Sequence, residues 1–449
     1  MKDNHPACAN RLCPSSGIAQ LAAVLFLFCL PSASVVAQLP FDDEPINYST
    51  ATSHDPIAQL QDAIDSDKFE LRFDAQKGYL PAVLEALEIS PSTQMLVFSK
   101  TSFQARRINP KHPRALYFRD NAYVGWVQQG DVVEVASVDP KLGPIFYTLD
   151  QQRVDHPRFV RDKGQCMTCH ASSRTKGVPG LLVRSVFPDR GGYPILGSGT
   201  FNIDHTSPLK HRWGGWYVTG NHGDQRHMGN EVVVDKSQPE LLDTPLGSNV
   251  TDLSSRLDVT PYLTPHSDIV ALMVLEHQSQ MQNLITRAAF EARSAMWYDA
   301  IMNKALDRPA EHLSDSTGRR IDSAVEKLVK SLLFCDEAEL TAPIQGTSKF
   351  TEEFARRGPF DAQGRSLREF DLQTRLFKYP CSYLIYSDSF AALPEVIKTA
   401  VFQRLWNLLT RQDRDPSYDH LTGHDRAAIL GILRDTVPDL PAYWSVTSG

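Results

Sequence analysis

The stretch "HSDIVALMVLEHQSQMQNLITRAAFEARSAMWYDAIMNKAL", His266 to Leu306, decides how the chain is organised. Its apolar residues recur at spacings of three and four, the period of one helix face, and Asp268 follows Ser267 where an N-cap belongs. The stretch predicts a long amphipathic helix. The helical period then continues through "SAVEKLVKSLLFCDEAEL", "AVFQRLWNLLTRQ" and "HDRAAILGILRDTVPDLPAYW", interrupted by turns that carry Pro or Gly. Upstream the pattern is different. After a short helix in "KGYLPAVLEALEI", the runs "QMLVFSKTS", "ALYFRDNAYVGWVQQ", "DVVEVASVD" and "PIFYTLD" are rich in Val, Tyr, Phe and Ile and read as strands. Residues 164–236 are dense in Gly and Pro, so their order needs a cofactor or a tight fit onto the preceding strands.

The expected fold class is α+β, with a β-rich and loop-rich N-terminal part followed by a mostly α-helical C-terminal part. A chain of 449 residues predicts two or three domains. The expected division is a signal peptide over 1–37, a flexible lead-in over 38–67, a β-rich region over 68–240 and a helical region over 241–449. The signal peptide follows from Lys2 and Arg11 ahead of the uncharged run "GIAQLAAVLFLFCLP", with Val35 and Ala37 as the small residues before a cut. That predicts export to the periplasm or beyond. An uncleaved signal would instead tether the chain peripherally to the membrane.

Without residues 1–37 the formal charge is 44 − 52 = −8, against −7 for the whole chain. A mildly acidic surface argues against a nucleic-acid partner. Apolar residues at 42% exclude a disordered chain. The cut also leaves four cysteines: Cys335 and Cys381, which form either a disulfide or two separate buried thiols, and Cys166 with Cys169.

Those last two lie in "GQCMTCHASS", Gly164 to Ser173. A zinc clamp would need two more ligands, and neither a second Cys-x-x-Cys nor a His pair follows at finger or ribbon spacing. A dithiol switch would need a βαβ setting, which is missing. Covalent haem needs two thiols three positions apart to reach both vinyl groups and a histidine directly after the second to lie under the iron. Cys166, Cys169 and His170 supply all three, and the export signal places the chain where such haem is attached. One haem c per chain, with its iron, is therefore the expected cofactor.

Through these residues the chain resembles the c-type cytochromes, and more loosely through "GVPGL", Gly177 to Leu181, where Pro179 matches a proline whose carbonyl often faces the proximal histidine in that family. The resemblance implies haem binding and single-electron transfer to redox partner proteins. It also implies a distal methionine several tens of residues downstream, and Met228 in "RHMGN" stands 228 − 170 = 58 positions after His170. His227 and His222 are the rivals, and Met273, Met281 and Met296 on the long helix read as core filler. For the haem propionates "HRWGGWYVTG" offers Arg212, Trp213 and Trp216, with Arg226, Arg174 and Arg184 as alternatives. His277 reads as an interface histidine. The alternative to an electron carrier is a haem enzyme of peroxidase-like or other small-molecule redox type, or a haem-based sensor, with an open distal site.

Overall fold

Branched and aromatic residues at strand spacing build the first layer. β1 (Met95–Val97), β2 (Arg114–Arg119), β3 (Ala122–Trp126), β4 (Val132–Asp139), β5 (Gly143–Asp150) and β6 (Phe159–Arg161) form one six-stranded sheet in sequence order. Every neighbouring pair is antiparallel. Strands adjacent in sequence need only local connections, so this order has a low closure cost. The computed structural model describes residues 41–240, 242 and 244–445; the signal peptide expected over 1–37 lies outside them.

The flexible lead-in requires correction over 41–67. Asp55 accepts the N–H groups of Ile57 and Ala58, and Pro56 opens helix α1 (Pro56–Asp65), which buries Ile57, Leu60 and Ile64. The same Asp55 takes the hydroxyl of Tyr147 on β5 at 2.7 Å. Polar residues that look like a solvated linker here form a cap and a docking bond. Helix α2 (Leu80–Ala86) follows as the sequence predicts, and α3 (Met167–His170) is a single turn.

Helix α4 (Ile269–Ala305) is the centre of the molecule, 37 residues and about 55 Å long. Its first half is buried on nearly every side, including Glu276, His277, Gln278, Gln282 and Asn283, so the amphipathic reading is corrected there. The polar groups face protein. The Gln278 side-chain amide donates to the Arg119 carbonyl at 2.7 Å and to the Tyr123 hydroxyl at 2.6 Å, and Gln282 donates to the Asp120 carbonyl at 3.1 Å. These bonds tie the helix to the β2–β3 turn and satisfy backbone groups that burial would otherwise strand.

Asp268 starts this helix, as expected. One carboxylate oxygen accepts from Val270 and Ala271, and the other accepts the N–H groups of Thr347 and Ser348, each at 2.8 Å. Asp268→Ala removes a cap and orphans two buried donors, so it should cost about 2 kcal/mol. Urea unfolding reads this directly, and a loss below about 0.5 kcal/mol would contradict the role.

Helix α5 (Asp315–Leu332) packs along α4, and α6 (Phe350–Ala355), α7 (Asp388–Ala391), α8 (Glu395–Leu409) and α9 (Gly423–Thr436) complete the helical half. The Gly-rich and Pro-rich middle holds β7 (Arg184–Val186) paired with β8 (Thr200–Asn202), and β9 (Gly220–Asn221) paired with β10 (Gln345–Gly346). Leu181, Val183, Ile203, Trp213 and Trp216 from this middle segment share one core with α4 and the C-terminal helices. The described residues belong to one compact unit, so the border at 240/241 marks a change of secondary structure. Cys335 and Cys381 are buried free thiols, both pushed up to about 12 by burial.

Candidate haem-attachment site

The motif is built by a carboxylate. Asp162, following β6, accepts the N–H groups of Gly164, Gln165 and Cys166 at 2.9, 3.1 and 3.0 Å. The chain turns there into α3, where positions three and four apart share one side, so Cys166, Cys169 and His170 project together. Both cysteines are free; Cys169 is exposed, and Cys166 and His170 are half-buried.

The His170 Nδ1 lies 2.8 Å from the Gly180 carbonyl oxygen. A carbonyl only accepts, so Nδ1 carries the proton and Nε2 keeps its lone pair. Burial holds the imidazole below its ordinary pKa, in the neutral form a metal ligand requires. Phe146 of β5 packs on the ring with centroids 4.6 Å apart. The carbonyl was expected from Pro179 and comes from the next residue. Gly180 is needed there, because a Cβ would stand 2.5 Å from the Asn283 side-chain oxygen. Asn283, on α4, grips neighbouring Leu181 through both its N–H, at 2.7 Å, and its carbonyl, at 2.8 Å. The central helix thereby sets the tautomer of His170. Nothing in the sequence connects a helical asparagine with a loop about a hundred residues upstream.

Three readings of the two thiols can now be compared. Burial, and then the Asp162 carboxylate, push the Cys166 thiol up to about 12, whereas a dithiol switch needs a thiol that ionises readily. Among the described residues no three His, Cys, Asp or Glu side chains stand together as a metal-holding group. Two reduced thiols beside a histidine with a free Nε2 fit the donor set of a covalently held haem.

Arg212 and Trp213 do not serve the propionates. Arg212 Nη1 pairs with the Glu276 carboxylate at 2.8 Å, its Nε donates to Ser207 and its Nη2 to His205, while the Trp213 indole N–H donates to the other Glu276 oxygen. Arg212, Trp213 and Glu276 are all buried. Arg184 is better placed: its pKa is lowered by burial and then by Arg174, and Cys169 acts on it in the opposite sense, so it stands within electrostatic reach of both. Trp216 is a core aromatic whose indole N–H donates to the Arg184 carbonyl at 2.7 Å. Arg226 donates to the carbonyls of Asp224 and Gln225 in its own loop.

Met228 is buried, and its sulfur accepts the Ser185 hydroxyl at 3.6 Å. Successive residues of a strand face opposite ways, so Ser185 and Arg184 point to opposite faces of β7. Met228 is therefore on the face away from Cys169, and the structure does not bring it to His170. His222 and His227 pack against each other with centroids 4.7 Å apart, and His227 packs on Trp213 at 5.2 Å. His227 accepts the Gly229 N–H and His222 the Asn249 N–H, each at 3.0 Å. His277 is buried between Ser382, 2.7 Å from its Nε2, and His205, 3.3 Å from its Nδ1. Met273 and Met281 fill core, but Met296 is exposed.

No protein-family model, curated sequence or solved structure matches the chain.

Proposed function

We infer that the protein is an exported haem protein of the c type, carrying one haem on Cys166 and Cys169 with His170 as the proximal ligand, and passing single electrons to redox partner proteins. The observation that carries this reading is the 2.8 Å bond from His170 Nδ1 to the Gly180 carbonyl, which leaves Nε2 as a pre-aimed ligand beside two reduced thiols. When bound, the porphyrin iron supplies a one-electron couple. The residues of the chain position it. Gly180 holds the Nδ1 proton and so raises the donor strength of Nε2, Phe146 limits ring rotation, and Arg184 with Arg174 provides positive charge for propionates. Cys169 is exposed, which puts the attachment at the surface where a partner can approach.

The placement of Met228 favours a second reading, an open distal position that takes up small ligands. Optical spectra of the ferric and ferrous protein with carbon monoxide or cyanide decide between them. The carrier predicts a low-spin spectrum that neither ligand alters, and prompt ligand uptake would replace it with the second reading. In either case Met228→Ala should leave the spectrum unchanged. Loss of a sulfur-to-iron charge-transfer band in that variant would contradict the placement of Met228.

A further inference from the structure

We propose that the C-terminal end of α4 and the turn after it dock on a phospholipid surface. Six large apolar side chains are left open here: Met296 (39% exposed), Tyr298 (58%), Ile301 (46%), Met302 (51%), Leu306 (49%) and Leu313 (41%). The same helix is buried on nearly every side over its first half, so it leaves the core and presents an uncovered flank. Tyr298, Met302 and Leu306 follow at i, i+4 and i+8, beside a parallel row of Trp297 and Ile301, which makes a continuous stripe. A contiguous apolar patch of this kind marks an interaction site.

Two observations select a lipid surface as the occupant. The first is area. Side chains of this size at these exposures present roughly 500 Å² of mainly apolar surface, against about 800 Å² per partner in a stable protein interface. A second copy of the chain would be held too weakly, whereas a short amphipathic stripe is enough to sink to the boundary between headgroups and acyl chains. The second is continuity. Phe41 packs on Phe290 with centroids 6.1 Å apart, and Arg293 holds the Pro45 carbonyl at 3.2 Å. Phe290 lies seven residues before Trp297, two helical turns, so the two share a face. The segment that carries the uncharged run Gly17 to Pro31 therefore joins the described chain at Phe41, on the face from which the stripe continues. Tyr298 and Trp297 have the amphipathic rings that favour a membrane interface, and exposed Lys304 and Arg308 are placed to reach phosphate. Among the described residues no helix is long and apolar enough to cross a membrane, so the contact proposed is peripheral.

The test is flotation of the full chain with vesicles of phosphatidylethanolamine and phosphatidylglycerol, beside the triple variant Tyr298→Ser, Ile301→Ser, Met302→Ser. All three positions are exposed, so unchanged circular dichroism and melting confirm that the variant folds. The full chain is expected to float, and the variant to partition about tenfold less or weaker still. A parent that stays at the bottom overturns the proposal. So does a variant that floats as well as the parent, which would assign binding to the N-terminal segment. Light scattering that shows a dimer of the parent and a monomer of the variant would overturn it in favour of a second copy.

Discussion

Arg212→Met should destabilise the fold by about 3–5 kcal/mol, the usual cost of leaving one partner of a buried ion pair uncompensated. Arg212 and Glu276 are both buried and 2.8 Å apart, and the indole N–H of Trp213 completes the site. Even with these partners, burial raises Glu276 from its ordinary 4.5 to about 7. The sign follows from that direction. An acid whose folded pKa is raised binds more protons in the native than in the unfolded state between about pH 4.5 and 7, so its contribution to stability falls as pH rises through that window and is constant above it. Glu276→Gln should therefore flatten the pH dependence of urea unfolding over that range. The double change Arg212→Met with Glu276→Leu should recover most of the loss, because packing replaces charge. A loss below about 1 kcal/mol for Arg212→Met would show that the pair is not the keystone described here.

The second large effect is all-or-none. Cys166→Ala with Cys169→Ala should abolish haem that survives denaturing electrophoresis, since both attachment points are gone. His170→Ala keeps the thiols and loses the ligand, so covalent attachment should persist in part with an altered spectrum. Retention of haem staining by the double cysteine variant would end the attachment reading.

Much of the fold was legible because local rules suffice for it. The four predicted strand-bearing stretches all fall in the meander, and Ser267-Asp268 announces the start of α4, since period and capping are short-range properties. Two misreadings have one cause. Asp55, Pro56 and their neighbours were taken as a linker, and Glu276, Gln278, Gln282 and Asn283 as a wet helix face, because polarity reports exposure only when no buried partner exists. The partners are distant in sequence: Tyr147 for Asp55, Arg212 for Glu276, the Asp120 carbonyl for Gln282 and Leu181 for Asn283.

The site divides in the same way. The spacing of Cys166, Cys169 and His170 is local, and the structure projects them together from one turn. The second ring of residues is not local. Arg212 and Trp213 lie in an attractive "HRWGGW" but serve Glu276, and Met228, 58 positions after His170 (228 − 170), is turned to the opposite face of a short strand. Gly180 and Asn283 carried no signal as a pair, since only the folded chain brings a loop carbonyl and a helical amide to the same histidine.

The most direct test of the account is the intact mass of the exported protein after denaturation and extraction with acidified organic solvent. The account predicts a polypeptide heavier by one haem, with both Cys166 and Cys169 blocked to thiol reagents. The mass of the polypeptide alone, with both thiols reactive, would contradict it.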